Sequence, residues 1–187
     1  MAEHDATSGG DPNILLIRGP IAVGKTTTVE QVANRMQRVA VVPVDWLRHM
    51  VGRWDPSDAA EAILASRNAG ALARNFRDHG LSVLIDGPFA EQQTVDALKA
   101  EVSSCGLAIV TLWATWETVL ARHQTRPPNN RADVERVRLV YDLIGASRDA
   151  IDGPWIDTTD MSPQDVVDSV LSARDNQGDG RDHGAHA

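Results

Sequence analysis

Residues Gly19 to Thr26 read Gly-Pro-Ile-Ala-Val-Gly-Lys-Thr. A glycine, four residues, then glycine-lysine-threonine is the spacing of a phosphate-binding loop. Gly19 and Gly24 let the backbone curl, so that the amides from Ala22 and Val23 through Gly24, Lys25, Thr26 and Thr27 point at phosphate oxygens. Lys25 supplies a point charge for the outer phosphates, and the Thr26 hydroxyl is a Mg²⁺ ligand. A helix begun here adds the positive end of its dipole. A glycine turn that binds nothing is the bland alternative, but a strand before and a helix after are the context the motif requires. Ile14-Leu15-Leu16-Ile17 and Thr27 to Ala33 read as those two elements.

Other residues that can do chemistry follow short apolar runs. Asp45 either caps a helix or acts as general base, accepting the proton of an attacking hydroxyl. Arg48, one helical turn on, is either a surface residue or a clamp for an anionic group. Asp86 ends the run Ser82-Val83-Leu84-Ile85; it is either the start of an Asp-Gly turn or the carboxylate that holds Mg²⁺ opposite Thr26. Asp86 and Phe89 are also candidate acceptor contacts, with Trp46 and Trp54, which follow Asp45 closely. Arg122 and Arg126 are four apart on one helical face before Pro127-Pro128-Asn129-Asn130. They suit a mobile lid, spanning about 122–136, that offsets charge on a transferring phosphoryl group; an ordinary solvated basic face is the alternative. Arg136 and Arg138 read as structural, and Trp113, Trp116 and Trp155 as packing. Arg18 is out of place, a charge where a buried strand is expected to be apolar; it reaches a ligand or a carboxylate across the sheet.

The elements that must position these residues alternate. Apolar runs at 14–17, 40–44, 82–85, 108–113 and 155–157 lack polar alternation, as strands covered on both faces do. Helical spacing lies between them. Residues 58–78 carry Ile63, Leu64, Leu72, Ala73 and Phe76, and residues 92–104 carry Val95, Leu98 and Val102. Ser162-Pro163-Gln164-Asp165 is a helix start. Repeated strand–helix units predict a parallel α/β sheet between helical layers, with ligands at the carboxyl ends of the strands. The 187 residues make one domain over 13–174, flanked by expected disordered segments at 1–12 and 175–187. His183 and His186 lie in that last segment and are not read as metal ligands. A single cysteine, Cys105, allows no internal disulfide, and no run approaches the ~20 apolar residues of a membrane span. The expected location is the cytoplasm, where ATP is available. A net charge of −8 argues against nucleic acid as the main partner. The sequence sets no oligomeric state.

Four pieces together carry a resemblance: Gly19 to Thr26, Asp45-x-x-Arg48, Ile85-Asp86-Gly87, and Val119-Leu120-Ala121-Arg122 continuing to Arg126. In order and spacing they resemble the small P-loop kinases that span chloramphenicol phosphotransferase, the zeta toxins, and gluconate, shikimate and adenylate kinases. The likeness covers most of 13–173. It implies a three-layer P-loop kinase fold with a five-stranded sheet in the order 2-3-1-4-5, ATP and Mg²⁺, and an arginine-bearing lid. Asp45 then takes the base or acceptor role, and Arg122 and Arg126, with Arg131, the lid role. Pro88-Phe89-Ala90 stands where adenylate kinases have Phe-Pro-Arg, and the lid has no cysteines, which turns the reading away from nucleoside monophosphates. The expected activity is transfer of the γ-phosphate to a hydroxyl of a small-molecule acceptor, a metabolite or an antibiotic. The alternative is a nucleotide-binding sensor or partner-binding protein without catalysis.

Overall fold

The computed structural model of the chain describes residues 14–53, 55 and 58–179. Five strands are present among them: β1 (Ile14–Arg18), β2 (Val39–Pro43), β3 (Ser82–Asp86), β4 (Leu107–Trp113) and β5 (Trp155–Asp157). All pair in parallel, in the order β2-β3-β1-β4-β5. The helices are α1 (Lys25–Ala33), α2 (Val44–His49), α3 (Ala59–Asp78), α4 (Gln92–Glu101), α5 (Trp116–Gln124), α6 (Val134–Ala146) and α7 (Pro163–Asp179). A 3₁₀ turn at Pro128–Asn130 follows α5, where the paired prolines stop the helix. Trp54 lies outside the described residues, as do His183 and His186.

The unbroken apolar runs of the strands are explained by two cores. Ile14 and Leu16 of β1 pack with α2, α3 and α4 on one face. Leu15 and Ile17 pack with α1, α5, α6 and α7 on the other. Successive strand residues point to opposite faces, so a sheet buried on both sides needs every position apolar. Among the described residues no helix is long and apolar enough to cross a membrane.

Helix α3 departs from the expected stripe. Asp58 caps it, accepting from the Ala60 amide at 2.8 Å. Its inward face is Ala65, Ser66, Ala69, Gly70 and Ala73, while Leu64 and Leu72 are exposed. The reason is close approach: a Cβ on Gly70 would lie 2.5 Å from Cβ of Glu101, the last residue of α4. Small side chains let the two helices meet, and the large ones are pushed outward.

Helix α7 begins as expected. The Asp165 amide donates to Ser162 Oγ at 3.2 Å, and that hydroxyl donates to Asp165 Oδ2 at 2.6 Å. It then runs to Asp179, past residue 174 where composition places the start of a tail. The Gln177 amide pairs with both backbone groups of Ile109, at 3.2 Å each. β5 joins β4 only from Thr111 onward, so this side chain takes the place of a strand lower down.

Candidate active site

The carboxyl ends of β1, β2 and β3 lie side by side. Ile17 is in register with Asp86, and Pro43 with Asp86, so the exits of three strands share one edge. The loop after β1 turns sharply: Gly19 has φ 149°, Ala22 φ 66° and Gly24 φ 111°. At Gly19 the need for glycine is steric as well, because a Cβ would lie 2.3 Å from the Leu112 carbonyl oxygen. Gly24 is the N-cap of α1, and no acidic residue sits in the first turn. The positive end of that helix is therefore not neutralised from within.

Lys25 opens α1, is half-buried, and its Nζ donates to the Pro20 carbonyl across the loop at 2.8 Å. Burial pulls its pKa below the usual lysine value. Asp86 and Asp45 act in the other direction, while Arg126 and Arg48 reinforce the drop. All four charged side chains thus lie close enough to act on the same ammonium group. The Thr26 hydroxyl donates to Asp86 Oδ2 at 2.9 Å. Burial raises the Asp86 pKa, with Lys25 and Thr26 opposing the rise and Asp45 and Glu30 adding to it.

Asp45 lies inside α2, one residue past its start. The cap position is Pro43, and no side chain caps the helix. Capping is therefore not what the Asp45 carboxylate does. It is exposed and sits 3.5 Å from Nη1 of Arg48. The Arg48 side chain is only 14% exposed, so it is not a solvated surface arginine. Burial lowers its pKa, Asp45 opposes this, and Arg136 adds to it. Arg136 thus belongs with this cluster, although its helical pattern reads as structural. Its signal in the sequence is its place in the first turn after the proline-rich break. Arg138 has the structural role expected of it, holding Asp142 at 2.9 Å and lying over Trp116 at 5.0 Å.

The arginines after β4 divide. Arg122 turns toward the back of the phosphate loop: Nη1 donates to the Val23 carbonyl at 3.1 Å and to Thr158 Oγ1 at 3.0 Å, and Nη2 to the Thr158 carbonyl at 2.7 Å. It ties the loop to the chain leaving β5. Thr158 is a partner that sequence reasoning missed; its one signal is its place at the carboxyl end of the last strand. Arg126 is half-buried and acts on Lys25. Arg131 closes the turn behind it, donating to the Gln124 and Arg126 carbonyls at 2.6 Å each.

The apolar candidates also divide. Trp46 is 72% exposed beside Asp45, and Met50, the C-cap of α2, is 77% exposed. Phe89 is 3% exposed and belongs to the core, contrary to its expected place as an acceptor contact. A positive φ of 40° turns it back, so that its ring lies under Gly87. Trp113 packs on Tyr141 at 4.3 Å and Trp155 at 5.4 Å, and Trp116 packs on Tyr141.

A hydroxyl and a carboxylate meeting at Thr26 and Asp86 are two hard oxygen donors, which suits Mg²⁺. Among the described residues no three His, Cys, Asp or Glu side chains group to hold a metal by themselves. The pair therefore fits an ion that takes its remaining ligands from water and phosphate.

A family model described as an AAA domain matches residues 14–150, from β1 to beyond α6. The chain belongs to this family. No curated protein sequence matches it. Among solved structures it is similar to a sugar kinase from Janibacter sp. HTCC2649, with TM-score 0.72 and 16% identity over 88% of this chain and 95% of that one. It is also similar to a gluconokinase from Sinorhizobium meliloti 1021, with TM-score 0.70 and 13% identity over 94% and 99%. A tunicamycin resistance protein from Deinococcus radiodurans gives TM-score 0.63 and 21% identity over 86% and 94%. The fold is that of the small P-loop kinases, with the sheet order expected from the resemblance.

Proposed function

We propose that the chain transfers the γ-phosphate of ATP to a hydroxyl group of a small-molecule acceptor. The observation that carries this reading is the convergence of Asp45, Asp86, Arg48 and Arg126 on Lys25 at the start of α1. Asp45 adds a second, exposed carboxylate just past the strand end that lies in register with Asp86, where an acceptor hydroxyl can give up its proton.

In this reading the amides from Ala22 to Thr27 hold the phosphates, and Lys25 leaves the Pro20 carbonyl for a phosphate oxygen. Thr26 and Asp86 hold Mg²⁺, which draws charge from the phosphate oxygens when bound. The acceptor oxygen forms a bond to the γ-phosphorus, and the bond from that phosphorus to the bridging oxygen breaks, leaving ADP. The hydroxyl proton passes to Asp45. Arg126 offsets charge on the transferring group. Arg122 holds the loop in shape through Val23 and Thr158. Trp46 and Arg48 contact the acceptor, with Trp54 near them in sequence. The need for ATP suits the cytoplasm.

An antibiotic as acceptor is the finer version of this proposal. It is supported by the exposed Trp46 and Met50 beside Asp45, which offer apolar area to a bulky natural product. A structural neighbour that is a tunicamycin resistance protein is compatible with it. The test is a library of hydroxyl-bearing metabolites and antibiotics incubated with ATP and Mg²⁺ and read by mass spectrometry. A product heavier by one phosphoryl group, lost in Lys25→Ala, supports transfer. Slow ATP hydrolysis that no compound stimulates counts against it and favours a nucleotide-binding protein without an acceptor.

A further inference from the structure

Arg18 takes no part in the reaction above, and its surroundings are incomplete. It is the last residue of β1, one position before Gly19, and is 0% exposed. Nη2 donates to Ser147 Oγ at 2.5 Å, and that hydroxyl donates onward to the Ile144 carbonyl at 2.7 Å. Nε and Nη1 are buried without a hydrogen-bond partner among the described residues.

The register of the sheet adds to this. Arg18 stands opposite Thr111 on β4, and Thr111 opposite Trp155 on β5. Neighbours in register on a parallel sheet share a face, about 4.8 Å apart, so the three side chains form one row. The buried Thr111 Oγ1 and Trp155 Nε1 also lack partners among the described residues. The Arg18 guanidinium carbon is 6.0 Å from the Trp155 ring centre, and Arg148 lies over the same ring at 4.8 Å. Burial alone lowers the Arg18 pKa to about 10, and no carboxylate among the described residues counters it.

Most of the unmet groups are donors. A guanidinium and an indole N–H only donate, while the threonine hydroxyl both donates and accepts. A water placed among them would accept and could return one hydrogen to Thr111 Oγ1, but it would bring no charge to set against the guanidinium. An anion accepts from all of them and supplies the counter-charge that a buried guanidinium requires. Complete burial limits the occupant to a small ion.

We propose that Arg18, Thr111 and Trp155 form an internal site for one small inorganic anion of the chloride class, seated directly beneath the phosphate loop. The ion ties β1, β4 and β5 together at the point where Gly19 presses on the Leu112 carbonyl. It is separate from the nucleotide site on the loop amides.

Two measurements on the full chain test this. Wild-type crystals soaked in bromide are expected to show an anomalous peak within hydrogen-bond distance of Arg18 and Trp155. Ordered water alone in that row, with no bromide peak, overturns the proposal. In solution, the unfolding temperature is followed as chloride replaces isethionate at constant ionic strength. The wild type is expected to rise and saturate, and Arg18→Met to stay flat. An equal rise in both overturns the proposal. Where Arg18→Met fails to fold, Trp155→Phe keeps an aromatic ring and removes one donor. It is expected to need several-fold more chloride for the same rise, and an unchanged chloride midpoint counts against the site.

Discussion

Replacing Arg122 by Met separates two roles for this residue. Its three hydrogen bonds go to Val23 and Thr158, both almost fully buried, and two of the three acceptors are backbone carbonyls. Removing the guanidinium leaves those carbonyls short of a donor. Hydrogen bonds from a charged group contribute ~1.5–3 kcal/mol each, and two left unmet in a partly hydrated spot sum to about 3 kcal/mol. For a domain of this size that is a fall of roughly 6–12 °C in unfolding temperature. The loop then samples other shapes, so KM for ATP is expected to rise by at least about tenfold, the factor that 1.4 kcal/mol of lost binding gives. The chemical step, which Arg122 does not touch, is expected to keep kcat within about threefold, less than 1 kcal/mol of barrier. Thermal unfolding and initial rates measured on Arg122→Met and Arg122→Lys decide the matter. A fall in kcat of about 10³ with KM and unfolding temperature unchanged would refute the brace and make Arg122 a charge-offsetting lid residue.

Asp45→Asn is expected to lower kcat by ~10²–10⁴ with little change in nucleotide affinity, measured with the identified acceptor. The pH dependence of Mg²⁺ binding follows from Asp86. Burial raises its pKa, so the carboxylate takes up its proton above the ordinary value of about 3.9 as pH falls, and Mg²⁺ affinity drops there. Stability of the metal-free protein moves oppositely: the folded state holds this proton more tightly than the unfolded one. Its contribution is therefore full below the unfolded pKa and lost as pH rises through the folded one. Titration calorimetry and unfolding against pH check both signs, and Asp86→Asn should flatten both curves. Gly19→Ala places a methyl group 2.3 Å from the Leu112 oxygen at a φ of 149°, so nucleotide binding is expected to be lost and the unfolding temperature to fall. Wild-type affinity in that variant would mean the loop adopts another shape.

Much of the candidate site is legible in the sequence because spacing and strand ends carry it. The phosphate loop is defined by residues that must be glycine for steric reasons, and the positive φ values at Gly19 and Gly24 meet that need. Asp45 and Asp86 could be found because parallel strands deliver the residues at their carboxyl ends to one edge. What spacing does not encode is the direction a side chain takes once helices pack. Arg122 and Arg126 share a helical face in the sequence, yet one bonds behind the loop and the other acts on Lys25. Phe89 reads as an acceptor contact next to Asp86, but its backbone turns the ring inward to the core. The buried face of α3 is made of alanine and glycine, so hydropathy points at Leu64 and Leu72, which the close contact with α4 pushes to solvent. Arg18 was visible as an anomaly, but its unmet donors emerge only when three strands are in register.

In the proposed reaction a triphosphate lies on the amides before α1 with the Asp45 carboxylate at its far end. A crystal structure with Mg²⁺ and a non-hydrolysable ATP analogue tests this directly. The expected result is Lys25 Nζ released from Pro20 and bonded to a phosphate oxygen, Mg²⁺ on Thr26 with Asp86 beside it, and Asp45 facing the γ-phosphate at the distance of one acceptor hydroxyl. An analogue bound elsewhere, or Asp45 turned to solvent with Lys25 still on the Pro20 carbonyl, would rule out phosphoryl transfer at this site.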